Sequence, residues 1–205
     1  MKEQLTVGSM FAGIGGICLA FRQNGCKIVW ANEIDRYACK TYRLNFGDEY
    51  LIEGDIQKLD TKDIPKFDIL TAGFPCQAFS SVGLLEGFND PRGNLFFETA
   101  RVINKIKPRV VFLENVANLV KHDEGRTFDV ILKTLGDLGY YTVYKVMNAK
   151  EYGNIPQQRN RIYIVAFKYK KNVEKFKFPD MLPLTQTAFD LFDKKNNSRF
   201  NFIYN

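Results

Sequence analysis

The sequence has few of the residues that build metal sites and disulfide frameworks. It contains one histidine, His122, and four cysteines, Cys18, Cys26, Cys39 and Cys76, with no C-x-x-C pair among them. This composition argues against a structural zinc site and a disulfide framework, so no metal is expected. It also makes the reducing cytoplasm the expected location.

Long apolar runs are missing as well. No stretch approaches the ~20 apolar residues that cross a bilayer, and the first residues, Met1–Gln4, do not resemble a signal peptide. We therefore expect no membrane association. The chain has 205 residues, 45% of them hydrophobic and 25% charged, which suits one globular domain with a short appendage. We predict a domain at residues 1–168 and a tail at 169–205.

The net charge is modestly positive, +6, from 29 Lys and Arg against 23 Asp and Glu. Such a charge permits a polyanionic partner without requiring one. Much of the excess lies where the tail begins, at Lys168, Lys170, Lys171, Lys175 and Lys177. These lysines suit nucleic-acid contact and an ordinary solvated linker equally well, and both interpretations stay open.

Short apolar runs alternate with helical patterns along the chain. This alternation predicts an α/β fold in which a mostly parallel sheet lies between two layers of helices. Gly25, Gly47 and Gly139 stand where helix C-termini are expected. The predicted strands are Leu5–Phe11, Lys27–Asn32, Tyr50–Glu53, Phe67–Ala72, Val110–Leu113, Tyr141–Asn148 and Arg161–Phe167, and the predicted helices are Gly15–Asn24, Arg36–Asn45, Asn94–Lys105 and Arg126–Leu138.

The first three predicted strands each end in residues that suit a ligand. The first runs into the glycine-rich turn Phe11–Gly16, which lacks the last glycine of the phosphate-binding G-x-G-x-x-G pattern. The second ends at Asn32-Glu33, where an acid suits a ribose diol or, equally, a helix N-terminus. The third ends at Gly54–Ile56, an acceptor beside an apolar residue. Together they predict an adenosine pocket without a pyrophosphate clamp, which favours S-adenosylmethionine over NAD.

A cysteine follows the fourth predicted strand, in Pro75-Cys76-Gln77. The carboxyl end of an internal strand is where open α/β sheets bind ligands, and Pro75 stiffens the backbone there. A nucleophile is mounted in this way, although a lone cysteine is more commonly a buried structural residue. The irregular segment Gln77–Pro91 begins at this cysteine and is long enough to predict a lid.

Two further segments carry charged residues at strand ends. Glu114 follows Val110–Leu113, where a carboxylate serves as an acid or hydrogen-bond partner for a substrate ring, or simply closes a strand at the surface. Arg159 and Arg161 open the last strand and, two residues apart, are expected to face the same side. Two guanidinium groups suit a phosphate and a base oxygen, or salt bridges at a sheet edge.

Taken in order from Val7 to about Phe167, these segments resemble the motifs of bacterial cytosine-C5 DNA methyltransferases. The glycine turn resembles the cofactor turn, Asn32-Glu33 the ribose-binding acid and Gly54–Ile56 the adenine contact. Pro75-Cys76-Gln77, with Phe79-Ser80, resembles the nucleophile loop. Glu114-Asn115-Val116 resembles the catalytic acid motif, and Arg159-x-Arg161 the arginine motif.

The resemblance implies a Rossmann-like fold of the S-adenosylmethionine-dependent methyltransferases, S-adenosylmethionine as cofactor and double-stranded DNA as partner. It implies DNA methylation within a restriction-modification system, through a covalent Cys76 adduct of a flipped cytosine. The implied catalytic residues are Cys76, Glu114, Arg159 and Arg161, the implied cofactor residues are Phe11, Gly13, Gly15, Gly16, Glu33, Ile34, Asp55, Ile56 and Pro75, and the implied DNA-binding residues are Gln77, Ser80, Ser81 and Arg92.

The sequence departs from the family pattern at two places. Ser9 stands where members usually carry an acid, and nothing in Lys168–Asn205 resembles the family's target-recognition region or its later motifs. We therefore expect one subunit of a split enzyme completed by a second polypeptide, a truncated remnant, or a minimal recognition element in the tail. The residues also leave open a non-catalytic binding subunit, a dinucleotide-dependent oxidoreductase and an RNA methyltransferase.

Overall fold

The fold is taken from a computed structural model, which describes residues 4–75 and 95–191. Cys76, the Gln77–Pro91 segment with Ser80 and Ser81, and Arg92 lie outside the described residues, as does the tail beyond residue 191. The predictions made for them stay predictions.

Seven strands form one sheet with the order β3-β2-β1-β4-β5-β7-β6. β1 to β5 are mutually parallel. β2 and β3 follow on one side of β1, whereas β4 and β5 follow on the other, so the strand order reverses between β1 and β4. Open α/β sheets bind ligands at such a topological switch point. The strands are β1 Thr6–Met10, β2 Lys27–Glu33, β3 Leu51–Glu53, β4 Ile69–Ala72, β5 Val110–Val116, β6 Tyr141–Asn148 and β7 Asn160–Phe167.

The predicted α/β architecture is confirmed, with a mixed rather than a purely parallel sheet. β7 is the reversed strand and pairs antiparallel with both β5 and β6. Only residues 149–159 separate β6 from β7, too few for a crossover that would carry the chain to the other end of the sheet. The chain therefore returns beside β6 as a hairpin.

Helices cover both faces of the sheet. Buried residues of α1 and α2, including Cys18, Cys39 and Tyr42, pack with Val7 and Ile69 on one face. Buried residues of α3 and α4 join the larger core on the other face. None of the described helices is long and apolar enough to cross a membrane. The helices are α1 Gly16–Gln23, α2 Arg36–Phe46, α3 Leu95–Ile106, α4 Arg126–Asp137, α5 Ala149–Tyr152 and α6 Lys170–Val173, with short 3-10 turns at Ile56–Lys58, Thr61–Asp63, Ala117–Val120, His122–Gly125 and Ala188–Leu191.

The ends of the helices follow from local sequence. Asp35 caps α2 by accepting hydrogen bonds from the backbone N–H groups of Tyr37 and Ala38. Gly25, Gly47 and Gly139 follow α1, α2 and α4 with φ of 82°, 79° and 85°, as predicted for helix C-termini.

The first part of the tail packs against the sheet and its connections. The rings of Phe176 and Phe167 lie 5.3 Å apart between centroids. Further along, the N–H of Leu182 donates to the carbonyl of Glu151, 2.6 Å away. The described tail therefore passes from the end of β7 to α5 and, through hydrogen bonds between Thr185 and Asn154, to the segment that follows it.

Candidate active site

The carboxyl ends of β1 to β4 surround a cavity of ≈ 240 Å³. It lies beside the switch point, and its lining includes the ends of the first three strands, from which the sequence predicted an adenosine pocket. The predicted cofactor residues Phe11, Glu33, Ile34, Asp55, Ile56 and Pro75 line it, together with Asn32, Gly54, Gly73 and Leu95.

The glycine-rich turn after β1 contributes Phe11 to the cavity wall, whereas the predicted cofactor residues Gly13, Gly15 and Gly16 are not among the lining residues. Phe11 has a φ of 51°, a conformation that is rare for a bulky side chain and is concentrated at functional sites. Gly13 and Gly15 also have positive φ, and the N–H of Gly13 donates to Oε2 of Glu33 at 2.8 Å. The turn is thereby tied to the end of β2.

Glu33, the last residue of β2, is held by three backbone donors. Besides Gly13, the N–H groups of Ile34 and Asp35 donate to Oε1 at 2.8 and 2.9 Å. A carboxylate has about four acceptor positions, so Oε2 keeps one for a ligand hydroxyl. The carboxylate is a fixed acceptor in the cavity wall.

Asn32 is a positioning residue that the sequence analysis did not select. Its buried Nδ2 donates to the carbonyls of Ile52 and Gly54 at 3.0 and 2.9 Å, joining β2 to the turn after β3. Gly54 also donates to the carbonyl of Glu33 at 2.8 Å. The available signal was an amide at the end of the apolar run Ile28–Ala31, because a buried polar group needs partners.

The chemistry of the cavity suits an adenosine that carries a positive charge. Phe11, Ile34 and Ile56 offer apolar surface for a ring, and Ile34 is 64% exposed. Glu33 and Asp55 contribute carboxylates, and the described lining includes no cation. A sulfonium such as S-adenosylmethionine fits these residues, whereas a pyrophosphate would meet negative charge without compensation.

Glu114 and Arg161 form an ion pair beside this cavity. Nε of Arg161 lies 2.9 Å from Oε1 of Glu114, and both side chains are about one-fifth exposed. The expectation that the strand ends before Glu114 is wrong, because β5 continues to Val116 and Glu114 pairs with Tyr163 of β7. Gly73, which lines the cavity, lies so close that a Cβ added there would be 3.6 Å from Oε2 of Glu114. The carboxylate and the cavity thus share a wall.

Arg159 lies just before β7, so the alternation of a strand does not fix its direction as predicted. Its charge nevertheless acts on Tyr163, as the charges of Glu114 and Arg161 do. Burial raises the pKa of Tyr163, as does Glu114, while Arg159 and Arg161 act in the opposite direction. The charges of Glu114, Arg159 and Arg161 therefore all act on Tyr163.

Asn115 connects the acid motif to the segment that leads into Cys76. Its buried Nδ2 donates to the carbonyl of Phe74 at 2.9 Å, and its Oδ1 accepts from the N–H of Val116 at 2.8 Å. Phe74 is itself buried and packs 5.5 Å from the Phe96 ring. The backbone two residues before Cys76 is therefore anchored to β5.

Ser9, where the family pattern has an acid, is buried on the central strand β1. Its hydroxyl accepts from Oγ1 of Thr71 at 3.0 Å and also contacts the Cys18 thiol. Burial raises the pKa of Cys18, so this thiol is a protonated structural group. Among the described residues no group of three or more His, Cys, Asp and Glu is arranged to hold a metal ion.

Comparison with known proteins identifies the family. The family model of the C-5 cytosine-specific DNA methylases matches residues 5–205. The chain belongs to this family. The match continues past Phe167 into the tail.

The relatives are bacterial enzymes and the similar structures share the fold. The chain is 48% identical over 202 residues to the type II methyltransferase M.Bsp6I of Bacillus sp. (strain RFL6), covering 98% of this chain and 64% of that protein. It is 47% identical to the type II methyltransferase M.HhaI of Haemophilus parahaemolyticus, covering 89% and 55%. The structure of the S. pombe Dnmt2 methyltransferase matches with a TM-score of 0.65 and 26% identity, covering 82% of this chain and 51% of that one. The chain thus spans just over half to nearly two-thirds of these proteins.

Proposed function

We propose that this protein transfers a methyl group from S-adenosylmethionine to C5 of cytosine in double-stranded DNA. The observation that carries the proposal is the wall shared at Gly73 by the cavity and the Glu114–Arg161 pair. A donor in the cavity and a base beside the carboxylate would lie next to each other, with Cys76 directly after Pro75. Proximity of this kind supplies a large part of a rate enhancement.

The cofactor would be held by the residues that line the cavity. Glu33 would accept a ribose hydroxyl on Oε2, Asp55 would accept from the adenine edge, and Ile34 and Phe11 would cover the ring. When bound, S-adenosylmethionine supplies an electrophilic methyl group. Gly13, Gly15 and Gly16 would act by holding the Phe11 turn and Glu33 in place.

The base chemistry would be carried by Cys76, Glu114 and Arg161. The Cys76 thiolate would add to C6, which places electron density on C5 and lets C5 take the methyl group. The Glu114 carboxylate, oriented by Nε of Arg161, would stabilise the ring when N3 is protonated. Loss of the C5 proton and of the Cys76 sulfur would then release 5-methylcytosine.

A stacked base cannot reach these groups, so the cytosine would be flipped out of the duplex. Gln77, Ser80, Ser81 and Arg92 would contact the DNA, and the Gln77–Pro91 segment would close over the base. Arg161 keeps Nη2 for the O2 edge of the base, because Nε faces Glu114 and Nη1 donates to the carbonyl of Asn160. Arg159 would support the loop or the phosphate backbone of the DNA.

We also propose that reading the DNA sequence requires a part of the protein beyond the residues of the catalytic motifs, on the same or on a second polypeptide. The support is that the relatives are longer than the matched region. The type II names of these relatives support a role beside a restriction nuclease, in the cytoplasm where the DNA lies.

Transfer of radiolabelled methyl from S-adenosylmethionine to unmethylated duplex DNA tests the proposal. Cys76→Ala is expected to abolish transfer, whereas Cys26→Ala, which removes a half-buried cysteine of the opposite end of the sheet, is expected to retain it. A duplex with 5-fluorocytosine should trap a covalent complex that depends on Cys76, since fluorine cannot leave C5 as the proton does. Label on cytosine in the Cys76→Ala protein would refute the mechanism.

Two further outcomes distinguish a divided enzyme from a remnant. Binding of S-adenosylmethionine without transfer, restored by adding a second polypeptide, would show a divided enzyme. Failure to bind S-adenosylmethionine at all would contradict the proposed function and favour a remnant that keeps only the fold.

A further inference from the structure

A second cavity, of ≈ 370 Å³, lies at the opposite end of the sheet from the candidate active site. It is formed where β1, β4 and β5 begin, and its described lining includes none of the catalytic or cofactor residues. β5 has seven residues with a rise of about 3.3 Å each, which separates the two ends of the sheet by roughly 20 Å. The charged residues that line this basic cavity are Lys66, Asp68, Lys105, Lys107, Arg109 and Lys168.

The positive charge of the basic cavity is poorly neutralised by Asp68, the one carboxylate in the described part of its lining. Asp68 accepts from the N–H and Oγ1 of Thr6 at 2.9 Å and lies 3.6 Å from Nη1 of Arg109. The cavity's four lysines form no ion pair with any described residue. Like charges held together are destabilising unless an anion joins them.

Tertiary structure brings these lysines together from three distant segments. The left-handed turn at Lys107, with a φ of 54°, ends α3 and leads into β5. Because β7 is reversed, its last residue lies beside Val110, and the N–H of Lys168 donates to the carbonyl of Arg109 at 3.0 Å. The lysine run that begins at Lys168 in the sequence therefore starts in the basic cavity, and α6 continues it with Lys170 and Lys171.

We infer that the basic cavity binds phosphate groups of a segment of duplex DNA other than the one that occupies the active site. Lysines are flexible point charges, which suit sequence-independent contact with a phosphate backbone better than a shaped pocket for one small anion. The choice of DNA as the polyanion rests on the proposed function, whereas the affinity for phosphate follows from the charges alone. Such a contact would hold the protein on long DNA between methylation events.

The test compares two charge-matched double variants of the full chain. Lys66→Gln/Lys105→Gln removes two exposed lysines from the basic cavity, and Lys40→Gln/Lys133→Gln removes two exposed lysines from α2 and α4. Dissociation constants for a fluorescent duplex are measured across a salt series, and thermal denaturation confirms that both variants fold. Each lysine that contacts phosphate should lower the slope of log Kd against log salt by about one. The cavity variant should bind roughly three- to tenfold more weakly at low salt, while the control pair should match the wild type.

Equal salt slopes for the two variants would overturn the inference. A second arm separates DNA from a free anion, using inorganic phosphate as the probe. If phosphate raises the melting temperature of the wild type but not of the cavity variant, and DNA binding is the same in both, the site binds small anions and the DNA assignment is wrong. Methyl transfer to a short duplex is expected to be unchanged in the cavity variant. If the wild type neither transfers a methyl group nor binds S-adenosylmethionine, the proposed function fails while the salt slopes still decide the inference.

Discussion

At the scale of single residues, buried amides do much of the positioning in this protein. Asn32 fixes the turn after β3, and Asn115 fixes the backbone before Cys76. Replacing either asparagine should affect activity even where its side chain makes no contact with a substrate. A buried carbonyl left without a donor costs stability and loosens the segment it belongs to.

The replacement Asn115→Leu tests this role. It keeps the volume but leaves the Phe74 carbonyl without its donor, which should cost about 1–3 kcal/mol of unfolding free energy. Misplacement of Cys76 should lower methyl transfer by roughly 10²-fold while S-adenosylmethionine binding is unchanged. Single-turnover transfer and urea denaturation measure the two effects.

Thr99→Val is the control for this experiment, since Thr99 is buried and its hydroxyl donates within α3, to the Leu95 carbonyl. It should reduce stability without reducing transfer beyond the effect of unfolding. Equal activity of the two variants would contradict a positioning role for Asn115.

At the scale of elements, the turn between β1 and α1 must adopt a conformation that few residues allow. Gly15 has a φ of 93°, and a Cβ there would lie 2.3 Å from Cε2 of Phe46, whose ring stacks on Tyr42. Gly16, the next residue, is in α1 with no atom within 4 Å of an added Cβ. A side chain at Gly15 would therefore strain the turn, whereas a side chain at Gly16 would not.

We expect Gly15→Ala to lower the free energy of unfolding by about 2–3 kcal/mol, since both the backbone and the Phe46 ring must shift. Gly16→Ala should be neutral or stabilise α1 by up to ~1 kcal/mol. Chemical denaturation of both variants is the measurement, and similar losses for the two would mean that the turn rearranges.

At the scale of the whole molecule, the sheet separates two charged ends. The carboxyl end carries Glu33, Asp55 and Glu114, and the amino end carries the basic cavity with Asp68. The N–H of Thr6 holds the pKa of Asp68 below its ordinary value, with further help from the Thr6 hydroxyl and Arg109. This carboxylate joins the start of β1 to the segment before β4.

Because the pKa of Asp68 is lower in the folded protein than in the unfolded chain, the ionised carboxylate stabilises the fold. This stabilisation is fully present at a pH above the pKa of the unfolded chain, and it is lost as the pH falls through the pKa of the folded protein. Asp68→Ala should therefore reduce the unfolding free energy by about 2 kcal/mol at pH 7. The difference from the wild type should shrink below about pH 4. Denaturation curves at several pH values measure it, and a difference that does not vary with pH would contradict this account.

The sequence by itself determined the secondary-structure elements and predicted residues that line the cavity. The seven predicted strands and the four predicted helices agree with the structure to within a few residues at their ends. The periodicity of apolar residues and the glycines at helix C-termini, from which they were predicted, are local properties of the sequence. The resemblance carried by the motifs proposed Phe11, Glu33, Ile34, Asp55, Ile56 and Pro75 as cofactor residues. They line one cavity because the carboxyl ends of parallel strands meet at one edge of the sheet.

Only the tertiary structure decided which residues from distant segments of the chain contact each other. The reversal of β7 places Arg161 against Glu114 at one end of the sheet and Lys168 against Arg109 at the other, and no local pattern records that pairing. Likewise, Asn32 and Asn115 became positioning residues through partners 20 to 41 positions away. Contacts between distant segments depend on the direction and order of the strands, and these are set by how the chain crosses the sheet.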